Sequence, residues 1–178
     1  NTILPDLFCL DMDFRLVAMN MPLYDYLVAN LRGGKERIGY SLNLLNHISK
    51  GNSNYILKMN EIDRMGAQPM QRVLNLLAYC YYLQSKLMDE ICAKFSRNKF
   101  TSLSKGDVTS SPAKSIEKVT KVFGLTGEIS SSVNRGLEFH AKSDANVAFS
   151  YESELKANSV ILDNFGNEID SACEFRFE

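Results

Sequence analysis

The stretch PMQRVLNLLAYCYYLQSKLMDEICAKF, residues 69–95, decides the fold because it presents apolar side chains in nearly every direction of a helix. Pro69 suits a first helical turn, and the pattern predicts one helix over 69–97. One seam of this helix consists of Met70, Leu74, Leu77, Tyr81, Met88, Ile91 and Phe95, and a second row widens it with Val73, Leu76, Cys80, Leu83 and Leu87. A helix that is apolar on all sides in a globular protein is covered by other protein.

Lipid is not the expected cover for this helix. A membrane span needs about 18 consecutive apolar residues, and Asn75 and Gln84 interrupt the run. The chain of 178 residues is 45% hydrophobic and 23% charged, which is typical of a globular protein with a substantial core. We therefore expect a protein that does not enter the membrane.

The four cysteines indicate neither a zinc site nor a redox pair, because none of them belongs to a CxxC motif. Cys80 and Cys92 would lie about 18 Å apart on one helix, whereas a disulfide needs Cα atoms within about 7 Å. Free thiols are typical of a reducing compartment. We expect a cytoplasmic location and neither a metal nor a cofactor.

Charge is divided unevenly along the chain. Residues 1–105 carry 13 Lys and Arg against 9 Asp and Glu, whereas residues 106–178 carry 7 against 12. Between them, TSLSKGDVTSS at 101–111 is rich in small polar residues, which is typical of a linker. The sequence thus predicts a mainly helical domain over 1–100, a linker over 101–111 and a second domain over 112–178.

The first domain is predicted to begin with a strand and to continue with helices. Apolar residues alternate within 7–19, which has the period of a half-buried strand. Apolar residues at helical spacing then predict three helices, one from Pro22 to Gly33, one over 35–50 and one over 54–65.

The second domain is predicted to be a helix packed on a small antiparallel sheet. Ser111 and Pro112 start the helix and Gly124 ends it. Beyond it the period changes to two, as in the alternating series Ile169, Ser171, Cys173, Phe175 and Phe177, and NFGN at 164–167 is typical of a hairpin turn. Segregated helices and strands indicate the α+β class.

The opening stretch LPDLFCLDMDFRLVAMN, residues 4–20, resembles the start of a PAS sensor domain. That family continues with short helices and three long strands, whereas here a long helix intervenes. The resemblance covers under a tenth of the chain and transfers no ligand to it.

No catalytic constellation is recognisable. His47 and His140 are the two histidines, and neither lies in a GxSxG or HExxH motif. Asp11 and Asp13 would project from one strand face, as a metal or acid–base pair requires, but charged residues on the wet face of a sheet have the same spacing. We assign no catalytic residue and no metal ligand.

The motif RGGKER at 32–37 is the one candidate for anion binding. It concentrates Arg32, Lys35 and Arg37 around a helix junction, where side chains and helix-start amides can hold phosphate. A solvated loop is the alternative interpretation, because nucleic-acid binders usually carry a stronger basic stripe.

These patterns favour a non-enzymatic protein-interaction module, meaning an adaptor, regulator or assembly factor. The long helix has more apolar surface than three short neighbours can cover, which predicts a protein partner and a homodimer. The partner-binding residues are then Tyr79, Tyr82, Leu83 and Lys86. The alternatives are a nucleic-acid-binding regulator that uses the basic part, and an enzyme whose site assembles distant residues such as Asp13, His47 and His140.

Overall fold

The computed structural model describes residues 15–66, 68–93, 99–125 and 151–177. Within them the elements are, in chain order, β1 (Leu16–Asn20), α1 (Leu23–Arg32), α2 (Gly34–Ser49), α3 (Ser53–Met65), α4 (Pro69–Cys92), β2 (Phe100–Ser104), α5 (Lys105–Ser110), α6 (Pro112–Phe123) and α7 (Tyr151–Glu174). These residues form two compact units. The first contains 22–66, 68–89 and 155–177, and the second contains 15–21, 90–93, 99–125 and 151–154.

The long helix predicted from Pro69 is confirmed and is the centre of the first unit. One side of α4 packs on α1 and α7 in a buried cluster that comprises Leu27, Val28, Leu74, Leu77, Ala78, Ile169 and Ala172. Another side packs on α2 and α3 in a second buried cluster that comprises Leu45, Ile62, Tyr79, Cys80 and Leu83. The helix is therefore covered by helices from both ends of its own chain.

The three shorter helices were also predicted, because each has local start and stop signals. Asn52 caps α3, since its side-chain oxygen accepts hydrogen bonds from the backbone amides of Asn54 and Tyr55 at 3.1 and 3.3 Å. Gly34 separates α1 from α2 and has a φ of +64°, which is costly for any residue with a Cβ.

The antiparallel sheet predicted beyond residue 128 is wrong where the structure describes it. Residues 151–174 form the helix α7, with Ile161, Leu162, Phe165, Ile169 and Ala172 packed on the first core cluster. The predicted NFGN turn lies inside this helix. Apolar residues spaced four apart fit a helical stripe and also fall on every second apolar position of an alternating strand pattern. The helix forms because these residues are buried against α4. Alternation also predicted strands at Leu137, Phe139 and Ala141 and at Val147, Phe149 and Tyr151. Of these residues only Tyr151 is described, and it begins α7 rather than a strand.

The second unit contains a two-stranded sheet that is parallel rather than antiparallel. Leu16 pairs with Phe100 and Asn20 with Ser104 at the two ends of the register. The predicted N-terminal strand is described only from Leu16 onward, since residues 7–14 lie outside the described part. A hairpin joins antiparallel neighbours, whereas these strands are joined by the long connection that a parallel pair requires.

The segment predicted as a linker, 101–111, is largely regular structure. It contains most of β2 and all of α5. Ser104 and Asp107 form a capping box, in which the Asp107 amide donates to Ser104 Oγ at 2.9 Å and the Ser104 amide donates to Asp107 Oδ2 at 3.1 Å. Polar residues suited to a linker are equally suited to a helix cap, which explains the wrong prediction.

The helix predicted after Pro112 is confirmed as α6. It ends at Gly124, whose φ of +65° gives a left-handed cap. The guanidinium of Arg15 donates a hydrogen bond to the carbonyl of Val122 at this end. Of the helices in the described part of the chain, none is long and apolar enough to cross a bilayer.

Candidate functional site

The four residues predicted to bind a partner mostly face the core of the first unit. Tyr79 and Leu83 are each only 2% exposed. Tyr82 is half-buried and packs against Phe177, with ring centroids 5.4 Å apart. Lys86 is exposed, and its Nζ lies 5.7 Å from the centroid of the Tyr55 ring, which is a cation–π contact.

The reason for expecting a partner on α4 was that its apolar faces lacked cover. All of α4 is described, and no large apolar side chain in it is exposed. The cover comes from α7 and from the tail after it, where the sequence had predicted strands. Homodimerisation through α4 therefore stays a prediction that has lost its original support.

The three cations of the RGGKER motif have different surroundings. Arg32 donates a hydrogen bond from its guanidinium to Asn158 Oδ1 at 3.1 Å. Lys35 is exposed, and Arg37 lies at the rim of a cleft to which neither of the other two contributes. The phosphate site predicted from these three residues stays a prediction.

That cleft lies between α1 and α2, and we call it the α1–α2 cleft. Its volume is about 700 Å³. It is lined by Tyr26, Asn30 and Gly33 from α1 and its end, by Glu36, Arg37, Tyr40, Ser41 and Leu44 from α2, and by Gln84 from α4. The spacings of three, four and seven residues place each set on one face of its helix.

The Gly-Gly junction shapes the rim of the cleft. Gly34 has the positive φ that lets α2 begin directly after α1. Gly33 has an ordinary φ of −73°, but a Cβ built on it would lie 2.6 Å from Cβ and 2.5 Å from Cδ of Arg37. Only a glycine leaves room for the Arg37 side chain at this place.

The floor of the cleft is a network of polar groups. Ser41 Oγ donates to Asn30 Oδ1 at 2.7 Å, and the Asn30 amide donates to the Tyr26 carbonyl at 2.9 Å. The Gln84 amide lies 3.4 Å from the Tyr26 hydroxyl and 3.3 Å from Cys80 Sγ. Asn30 and Ser41 are buried, and their mutual hydrogen bond offsets the cost of removing them from water.

The titratable groups of the floor are held in their neutral forms. Burial raises the pKa of the Tyr26 hydroxyl to about 12, and the nearby Cys80 adds to this effect. Burial also raises the pKa of the Cys80 thiol. Because a thiolate is the nucleophilic form of cysteine, Cys80 lacks the activation that catalytic cysteines have. The floor offers hydrogen bonds rather than acid–base chemistry.

The rim of the cleft combines an aromatic ring with two opposite charges. Tyr40 is 70% exposed, and Glu36 and Arg37 are exposed beside it. Arg37 makes no hydrogen bond or ion pair with the part of the chain that the structure describes. An exposed tyrosine next to an unpaired arginine is a combination enriched in protein recognition surfaces.

The residues considered for catalysis are not brought together by the described structure. His47 is exposed on α2, and Asp11, Asp13 and His140 lie outside the described residues. Within the described ranges, no three His, Cys, Asp or Glu side chains are grouped as metal ligands. Among the described residues, Cys80 and Cys173 form no disulfide.

Sequence reasoning included Arg37 among its candidates but missed the other lining residues. A signal for them existed, because Asn30 and Ser41 stand at positions where the inward stripes of α1 and α2 would otherwise be apolar. Polar residues on the facing sides of two helices joined by Gly-Gly are typical of a buried polar network.

None of the family models, curated proteins or solved structures compared with the chain matches it.

Proposed function

We propose that this chain is a non-enzymatic protein-interaction module, an adaptor, regulator or assembly factor, whose first unit recognises a segment of a partner protein in the α1–α2 cleft. The observation that carries the proposal is the rim, where the 70% exposed Tyr40 lies beside the unpaired Arg37. Tyrosine and arginine are the residue types that most often dominate the energy of protein interfaces.

The chemistry of the floor supports binding over catalysis. Tyr26 and Cys80 have raised pKa values and therefore stay neutral at physiological pH. Gln84 and Asn30 are amides that do not titrate. Of these groups, Tyr26, Asn30 and Gln84 line the cleft and can orient a bound segment through hydrogen bonds, whereas Cys80 is fully buried behind them. Leu44 adds an apolar surface to the lining.

The exposed rim favours a protein segment over an enclosed small molecule. Small-molecule pockets usually bury most of the surface of their ligand and are mainly apolar. Here Glu36, Arg37 and Tyr40 are all exposed, so a ligand in the cleft would keep one side in solvent. A partner segment that continues beyond the cleft meets this condition.

Selection of peptides on the whole chain tests the proposal. A phage-displayed library of linear peptides is selected against the immobilised protein, and the dissociation constants of enriched peptides are measured by fluorescence anisotropy. We expect Tyr40→Ala to weaken binding by at least about tenfold, as truncation of a central tyrosine commonly does. Since the Tyr40 side chain is exposed, this substitution should leave the fold intact.

Tyr24→Ala is the matched control, because Tyr24 is an exposed tyrosine of α1 that does not line the cleft. It should change the dissociation constant less than twofold. Absence of enriched peptides would overturn the proposal. Equal affinity of the enriched peptides for the wild type and for Tyr40→Ala would overturn it as well.

A further inference from the structure

We infer that the α1–α2 cleft recognises a partner segment through a single carboxylate, an Asp or Glu side chain held by Arg37 within an otherwise uncharged stretch. This inference rests on the proposed function and specifies the chemistry of the partner. Three observations carry it. Arg37 has no ion pair among the described residues, the Gln84 amide offers a neutral hydrogen-bond donor in the same cleft, and Glu36 places a negative charge beside Arg37.

Arg37 is prepared for an anion that the described part of the chain does not supply. Its guanidinium has no ion pair among the described residues, and the bare backbone of Gly33 accommodates its side chain at the rim. A guanidinium binds a carboxylate with two parallel hydrogen bonds, a geometry that lysine cannot reproduce. The other arginine of the junction, Arg32, already donates to Asn158.

The floor of the cleft supplies hydrogen-bond donors that suit an acceptor. The Gln84 amide donates to Cys80 Sγ at 3.3 Å, an ordinary distance for a sulfur acceptor, and lies 3.4 Å from the Tyr26 hydroxyl. A thiol is a weak acceptor, and 3.4 Å is long for a hydrogen bond between nitrogen and oxygen. A carboxylate near Arg37 can therefore compete for the amide and gain a better hydrogen bond than the one lost.

Glu36 limits the number of carboxylates that a bound partner segment can place in the cleft to one. It lines the same cleft and is exposed, so that the lining residues carry one positive and one negative charge. A second acid in the partner segment would meet Glu36 and be repelled, whereas one acid directed at Arg37 meets the opposite charge. The cleft thus discriminates against strongly acidic segments.

The test uses two capped peptides that differ in one group, with Asp or Asn placed between two leucines. Binding to the whole chain is followed by NMR titration of the Gln84 side-chain amide. The Asp peptide should bind several-fold more tightly than the Asn peptide. Arg37→Gln should weaken the Asp peptide about fivefold and leave the Asn peptide unchanged, while Glu36→Gln should strengthen the Asp peptide about twofold, as for partly screened charge pairs.

Two further variants distinguish the effect of the position of Arg37 from the effect of its charge. Lys35→Gln removes the same charge from the same helix outside the cleft, so it should change affinity less than twofold. Gly33→Ala keeps every charge, and its backbone φ of −73° accepts alanine, but its Cβ would displace Arg37. It should weaken the Asp peptide about as much as Arg37→Gln does.

The outcomes distinguish this inference from the function on which it rests. Equal binding of the Asp and Asn peptides, or equal losses for Arg37→Gln and Lys35→Gln, would overturn the inference. If selected peptides still depended on Tyr40 in that case, the interaction function would stand without the carboxylate. If the selected peptides bound Tyr40→Ala as tightly as the wild type, both the carboxylate inference and the interaction function would be overturned.

Discussion

The ring of Phe177 packs against the ring of Tyr79, with the two centroids 5.3 Å apart and the planes tilted by 39°. Phe177 also lies 5.4 Å from Tyr82 and 5.0 Å from Phe175. The tail after α7 thus covers the aromatic face of α4 that the sequence had assigned to a partner. Tilted aromatic pairs of this kind contribute about 0.5–1.5 kcal/mol beyond the burial of their area.

Removal of the Phe177 ring should destabilise the first unit. We expect Phe177→Ala to lower the free energy of unfolding by about 2 kcal/mol, less than for a fully buried ring because this one is half-buried. Urea unfolding followed by circular dichroism measures the change. The neighbouring exposed Arg176 provides a control, since Arg176→Ala should stay within about 0.5 kcal/mol of the wild type. Equal stability of all three proteins would contradict the packing of the tail.

Leu83→Ala distinguishes a core residue from an interface residue. Leu83 is 2% exposed in the second core cluster, so its truncation should cost about 2–5 kcal/mol of unfolding free energy. Lys86→Ala, one turn away and exposed, should have little effect. Light scattering on both variants should give the wild-type mass. A Leu83→Ala protein of normal stability but changed mass would restore the interface first expected for α4.

Gly166→Ala tests whether NFGN is helix or turn. Gly166 lies in the interior of α7, and a Cβ on it would have no heavy atom within 4 Å. Alanine is a better helix former than glycine, so the variant should be more stable by about 0.5–1 kcal/mol. Thermal unfolding measures the shift. A loss of stability would indicate instead a turn that depends on glycine.

Gly34 and Gly39 of the RGGKERIG segment should respond to alanine in opposite directions. Gly34 has a φ of +64°, and alanine there should cost about 1–2 kcal/mol. Gly39 lies within α2 with open space around its Cβ position, so alanine there should stabilise by about 0.5–1 kcal/mol. Urea unfolding measures the change in unfolding free energy for each variant. If the two changes had the same sign, the positive φ assigned to Gly34 would be contradicted.

Stability should fall above pH 10 because two tyrosines resist ionisation in the folded state. Burial raises the pKa of Tyr26 and of Tyr79 to about 12 from the ordinary value of 10.0. Between these values the unfolded chain releases the phenolic proton while the folded chain retains it, so the stabilisation present below pH 10 decreases as the pH rises towards 12.

Unfolding free energies at pH 9, 10 and 11 check this dependence, with tyrosinate absorbance as a second readout. Tyr26→Phe should show a smaller fall with pH than the wild type, because one of the two raised pKa values is absent. Identical pH profiles for the two proteins would show that Tyr26 ionises as readily in the folded as in the unfolded chain.

Local signals were sufficient for most helices. Pro69, the Asn52 cap, the Gly33–Gly34 junction and the Gly124 stop all mark element ends through backbone preferences of single residues. Those preferences act over a few residues and do not depend on what packs nearby. The bounds of α1 to α3 and of α6 and the start of α4 therefore agree with the patterns in the sequence, whereas α4 ends at Cys92 rather than at 97.

Non-local contacts decided the elements that the sequence mispredicted. In α7, Phe165 and Ile169 fit both a helical stripe and part of an alternating one, and the difference is made by their packing on α1 and α4. Likewise β2 exists through its pairing with β1, more than 80 residues earlier in the chain. Strand preference depends on such partners, and a segment as short and as rich in serine as FTSLS at 100–104 does not predict a strand alone.

The sequence by itself determined that a long apolar helix from Pro69 is enclosed by protein, because apolar side chains occur on nearly every side of it. Only the tertiary structure decided that α7 and the Phe177 tail enclose it, and that Arg37, Tyr40 and Gln84 share a cleft. The physical reason is the distance along the chain over which each effect acts. Side-chain periodicity is a property of neighbouring residues, whereas burial and convergence depend on segments that meet only after the chain has folded.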